Sequence, residues 1–78
     1  MNIEIIKESK ENGHYIEAAC GKTTALVGRS AAGYISVVCK NASHRVWRGL
    51  GRTFGSVEEA VESYKKPEMK AIIRLLEA

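Results

Sequence analysis

Apolar and polar residues alternate along the first half of the chain, whereas apolar residues recur every three or four positions along its last quarter. The first pattern has the two-residue period of a strand with unlike faces, the second the 3.6-residue period of a helix. Ile3, Ile5 and Ile6 predict an opening strand, ended by Lys10-Glu11-Asn12-Gly13. Asn-Gly is a hairpin signal because both residues tolerate positive φ. A second strand is expected from about His14 to Cys20, with Ile16, Ala18 and Cys20 on one side, and a third over Thr23–Val27. Gly28-Arg29-Ser30-Ala31-Ala32-Gly33 reads as a loop. In the next strand, Tyr34–Lys40, Ile35, Val37 and Cys39 face one way while Tyr34, Ser36, Val38 and Lys40 face the other. Asn41-Ala42-Ser43 then turns into a last strand, His44–Leu50.

Beyond a glycine-rich corner, Gly49 to Gly55, the period changes. Ser56 followed by Glu59 forms a capping box, in which hydroxyl and carboxylate satisfy backbone N–H groups left open at a helix start. Val57, Ala60, Val61 and Tyr64 make one apolar stripe, with Glu58 and Glu59 at the positive end of the helix dipole and Lys65 and Lys66 at the negative end. Pro67 stops this helix and opens another, where Met69, Ile72, Ile73 and Leu76 repeat the stripe. The order predicts one domain over residues 1–78 of the α+β class. Its architecture is an antiparallel β-meander of four to five strands followed by one or two C-terminal helices packed on one face.

A chain of 78 residues supports one modest core, and its 45% hydrophobic content is that of a folded globular protein. No apolar run reaches the roughly 20 residues of a membrane helix, and the N-terminus lacks the pattern of a signal peptide, so a cytoplasmic protein is expected. Cys20 and Cys39 read as free thiols in a reducing compartment, with a single cross-strand disulfide as the alternative.

Motifs for catalysis or cofactor binding fail on inspection. Gly21-Lys22-Thr23 lacks the earlier glycine of a phosphate-binding loop, since that position is Ile16. Gly49, Gly51 and Gly55 do not have the dinucleotide spacing. His14 and Cys20, on one strand, would stand roughly 20 Å apart, too far to share a metal ion. There is no aspartate, and no Ser, Cys or Lys stands in a nucleophile motif near either histidine. No cofactor, no metal and no enzymatic activity are expected.

Charge is where the chain is unusual. All nine acids lie outside Ala18–Val57, while Lys22, Arg29, Lys40, Arg45, Arg48 and Arg52 lie inside it. The centre therefore carries +6 and the flanks, with six bases against nine acids, −3. A solvated basic face that aids solubility explains this; so does a binding surface. Aromatics interleave with these bases. Arg45 and Trp47 alternate with Val46, and Tyr34 and Lys40 lie opposite the apolar face of the preceding strand. If the helix covers that apolar face, Tyr34, Lys40, Arg45 and Trp47 reach solvent, where guanidinium groups pair with phosphate or guanine and aromatics pack on sugars or bases. If the strand is read one residue out of phase, Trp47 is core instead.

Gly33-Tyr34-Ile35-Ser36-Val37-Val38-Cys39-Lys40-Asn41, followed by Ala42-Ser43-His44-Arg45-Val46-Trp47-Arg48-Gly49, resembles the last two strands of the plant ethylene-response-factor (Apetala-type) DNA-binding domain. Thr53-Phe54-Gly55-Ser56-Val57-Glu58-Glu59-Ala60-Val61-Glu62-Ser63-Tyr64 is similar to that family's entry into its helix. The resemblance spans Leu26–Tyr64 and implies a three-stranded sheet in the major groove with a helix behind. It assigns groove contacts to Lys40, Arg45 and Trp47. Ser30, Ala31 and Ala32 replace the arginine cluster and tryptophan of that family's first strand, and Leu50-Gly51-Arg52 is an insertion.

Two functions follow as expectations. The first is a DNA-binding protein, phage or mobile-element encoded, using Arg29, Tyr34, Lys40, Arg45, Trp47, Arg48 and Arg52 on duplex nucleic acid. The second is an interaction module or inhibitor that covers an acidic surface of a host protein, with the same aromatics and arginines as anchors. In either case the chain is a monomer or a homodimer, the Met69/Ile72/Ile73/Leu76 stripe being a candidate dimer or partner face.

Overall fold

The computed structural model describes residues 2–41, 46, 47 and 51–77; at 40, 41, 46 and 47 the description is of the backbone alone. Among the described residues the strands are β1 (Ile3–Ser9), β2 (Gly13–Cys20), β3 (Thr23–Ser30), β4 (Ile35–Asn41), β5 (Val46–Trp47) and β6 (Arg52–Phe54). Helices α1 (Val57–Ser63) and α2 (Pro67–Arg74) follow, and α2 runs into a 3₁₀ turn, Leu75–Glu77. The sheet is antiparallel throughout, in the order β1-β2-β3-β4-β5, with β6 also on β4. The α+β meander closed by C-terminal helices is therefore present.

Asn12-Gly13 closes the first hairpin with both residues at positive φ, 55° and 122°. β3 runs three residues further than local propensity suggests. Gly28 pairs with Tyr15 on one side and Ser36 on the other, and Arg29 with His14 and Ile35. Ladders on both edges satisfy the backbone of these residues, which overrides their loop-like composition. The turn falls instead on Ala31–Tyr34, held by Gly33 N–H to Ser30 O (2.9 Å) and Tyr34 N–H to Ser30 Oγ (3.1 Å).

Of the expected last strand, His44–Leu50, the described residues Val46 and Trp47 form β5, and a further strand, β6, follows it. β5 pairs with Lys40 and Asn41, and β6 with Ile35, Ser36 and Val37. Val38 and Cys39 of β4 lie between these pairings. Gly51 makes the return into β6 at φ 80°, and a Cβ at that position would stand 2.8 Å from Val37 O. Arg52-Thr53-Phe54, expected as corner, is thus strand. His44, Arg45 and Arg48–Leu50 lie outside the described residues.

Ser56 caps α1 as its sequence predicts, accepting from Glu59 N–H at 3.2 Å. The Glu59 carboxylate reaches one residue further back than the standard box and accepts from Gly55 N–H at 3.0 Å. Lys65 and Lys66 lie beyond the end of α1, which stops at Tyr64. Lys70 of α2 takes the expected role, donating from Nζ to Val61 O at 2.8 Å.

One core joins the sheet to both helices. Ile16, Ala18, Ala25 and Val27 of β2 and β3 are at most 2% exposed and face α2. Ile35, Val37 and Phe54 line the part covered by α1. Met69, Ile72, Ile73 and Leu76 are 3%, 0%, 0% and 2% exposed. This corrects the expectation of a dimer or partner face. The helix side of β2 and β3 is apolar, and the stripe is consumed in covering it. Both cysteines are free thiols; Cys20 is buried, and Cys39 is half-buried with its Sγ 3.9 Å from Met69 Sδ.

Candidate interaction surface on the sheet

Strand alternation sends every second residue to the face away from α1 and α2. Two rows of side chains cross that face. One runs Ser9–Tyr15–Gly28–Ser36–Thr53 and the other Lys7–Glu17–Leu26–Val38. Glu4, Ala19 and Thr24 continue it toward the other end of the hairpins. Both helices pack on the opposite side, so among the described residues no element covers this face.

Its centre is apolar and its surround is rich in hydroxyls. Leu26 and Val38 are half-buried cross-strand neighbours, and Tyr15 lies half-buried beside them. The Tyr15 ring rests on the backbone of Gly28, in the space that a Cβ there would fill. That contact fixes the ring and explains a glycine in the middle of a central strand. A shallow hollow of about 200 Å³ is lined by Lys7, Ser9, Tyr15, Glu17 and Leu26.

Of the residues expected to form a basic face, Arg29 and Arg52 do not lie there. Arg29 shares the phase of Val27, two residues earlier, and so emerges on the helix side. There its Nη1 donates to Leu76 O at 3.2 Å, closing an open carbonyl of the terminal 3₁₀ turn. Arg52 shares the phase of buried Phe54 and lies opposite Val37, also on the helix side. Its guanidinium carbon stands 5.1 Å from the Phe54 ring centre and 5.5 Å from that of Tyr64. These two rings meet edge to face at 6.1 Å. Burial pushes the Tyr64 hydroxyl above its ordinary pKa, with the Cys39 thiol adding to the effect and Arg52 opposing it. Both arginines are corrections with one cause. Two-residue spacing from a core residue puts a strand side chain on the core side.

Tyr34 is 61% exposed but sits in the β3–β4 turn, at the far end of β4 from Lys40. The backbone of Lys40 pairs with that of Trp47 across β4 and β5. Arg45 and Arg48 lie outside the described residues. His14, weighed as a metal ligand, has its Nε2 2.6 Å from Glu8 Oε2. No group of three or more metal-ligating side chains occurs among the described residues, and no described helix is long and apolar enough to cross a membrane.

The apolar centre itself was missed in the sequence, although its signal was there. Tyr15, Glu17 and Ala19 alternate with Ile16, Ala18 and Cys20, and Leu26 alternates with Ala25 and Val27. No family model matches this chain, and no curated protein or solved structure does.

Proposed function

We propose that the chain is a non-enzymatic interaction module that seats a protein partner on the helix-free face of its sheet. The observation that carries this reading is the apolar pair Leu26 and Val38, with Tyr15 beside it, at the centre of a face that nothing in the described chain covers. Apolar centres ringed by polar groups are how protein interfaces exclude water around their anchors. Among the described side chains the charged members of this face are Glu4, Lys7 and Glu17, a mixture poorly suited to drawing in a polyphosphate.

A second reading is a duplex-DNA binder, favoured by the acid-free centre of +6 and by Lys40 pairing with Trp47 beside the Arg45 segment. The sheet order, with α1 behind β4 and β6, suits the Apetala-type resemblance.

Affinity capture with the wild-type chain, Leu26→Arg and Val38→Arg tests the first reading, beside fluorescence anisotropy on labelled duplex DNA. A specific partner should be lost from both variants while their circular dichroism and melting stay those of the wild type. Equal recovery by both variants sinks the proposed face. Salt-steep DNA binding that Arg45→Ala and Trp47→Ala weaken, and that Leu26→Arg keeps, selects the second reading instead.

A further inference from the structure

The free edge of the sheet carries a separate feature. β1 is its terminal strand, so among the described residues no strand lies beside its outward N–H and C=O groups. Among the described residues, the exposed large apolar side chains are Ile5 (49%), Ile6 (52%) and Tyr34. Two of the three thus sit side by side on this edge. The β1–β2 register is broken between Ile5 and Lys7, which makes Ile6 the extra residue of a bulge.

The bulge changes which side chains share a face. In a regular strand, residues three apart point to opposite sides. Here Glu4 pairs with Ala19 and Lys7 with Glu17, both on the helix-free face. A strand that pairs with its own copy about a two-fold axis normal to the sheet needs partners on the same face. Glu4 and Lys7 meet that requirement, and so do Ile3 and Glu8, which lie on the helix side opposite Cys20 and Ile16. Lysine and a bulge on an edge usually block pairing. In this register each Lys7 instead meets a Glu4.

We propose that the chain forms a homodimer by antiparallel pairing of β1 with β1 of a second copy. Glu4 of each copy lies opposite Lys7 of the other, and Ile5 opposite Ile6. The two sheets become one continuous sheet, the four exposed isoleucines close its centre, and two opposite-charge pairs set the register. With Ile6 on the axis instead, Glu4 stands opposite Glu8, which lies on the other face of the sheet, so the same-face requirement is not met.

Sedimentation equilibrium on the untagged full chain tests this, from about 1 µM to about 1 mM. The wild type should pass from the 8.6 kDa monomer to twice that mass. Lys7→Glu turns both attractive oppositions into repulsive ones and should raise the dissociation constant about tenfold or more. The Glu4→Lys/Lys7→Glu double variant restores both pairs with the charges exchanged and should dimerise like the wild type. Glu4 and Lys7 are exposed, so neither change touches the core. A wild type that stays monomeric at the highest concentration overturns the proposal and leaves the edge to a foreign strand. A Lys7→Glu variant that dimerises unchanged, or a double variant that is not rescued, overturns the register and the interface with it.

Discussion

Ile72→Ala separates a core role for the α2 stripe from a role as a partner face. Ile72 is 0% exposed, on the helix that packs against β2 and β3, and belongs to the core. The substitution removes three carbon atoms from a site enclosed by strand and helix backbones. Their transfer alone is worth about 2.4 kcal/mol at about 0.8 kcal/mol per buried methylene. The sheet on one side and the α1 contact on the other limit collapse, so a cavity cost brings the total to roughly 3–4 kcal/mol. A domain of 78 residues has about 4–12 kcal/mol of stability in all. The variant should therefore melt roughly 12–32 °C below the wild type. Urea unfolding followed by far-ultraviolet circular dichroism measures the loss, run at two protein concentrations a hundredfold apart. The exposed Glu62→Ala is the control, with an effect within about 0.5 kcal/mol. A core residue costs the same at both concentrations, whether or not β1 pairs with a second copy, because the edge is untouched. A loss below about 1 kcal/mol, or one that grows with concentration, would refute the assignment of this stripe to the core.

Two further outcomes follow from local geometry. Gly51→Ala places a methyl group at φ 80°, 2.8 Å from Val37 O and 2.5 Å from Val38 Cγ2. It should destabilise by about 2–3 kcal/mol in the same urea assay, and a cost under about 0.5 kcal/mol would contradict the path drawn into β6. Arg74 holds Glu58 below its ordinary pKa, first by the hydrogen bond from Nη1 to Oε1 (3.0 Å) and then by its charge. Because the folded value is the lower one, this tie contributes at neutral pH, fully above the ordinary glutamate pKa, and is lost as pH falls through the lowered one. Arg74→Ala should shrink the fall in melting temperature between neutral pH and pH about 3, modestly, since both groups are exposed. An unchanged fall would show that the pair does not link α1 to α2 in solution.

How much of this was legible in the chain depends on the range of the interaction concerned. The Ser56 cap, the Asn12-Gly13 turn and the Pro67 start are decided within about four residues, and each stands where its chemistry put it. The continuation of β3 through Gly28 and Arg29 was not legible, because the groups that satisfy those backbones come from Tyr15, His14, Ser36 and Ile35. Lys70 displaced Lys65 and Lys66 as the cap of α1 for the same reason: its reach depends on how α2 folds back.

The candidate site divides along the same line. A cluster of arginines can be counted from composition, but the face each one occupies follows from its phase against the core. Arg29 and Arg52 follow Val27 and Phe54 to the helix side, where a carbonyl and two rings engage them. Local sequence by itself determined the class of fold, the order of its elements and the turns and caps that punctuate them, because these rest on periodicity and short-range hydrogen bonds. Only the tertiary structure decided which face of the sheet stays open, that the α2 stripe is core, and that β1 is a free bulged edge. These are properties of layers and registers, set by contacts between residues far apart in the chain.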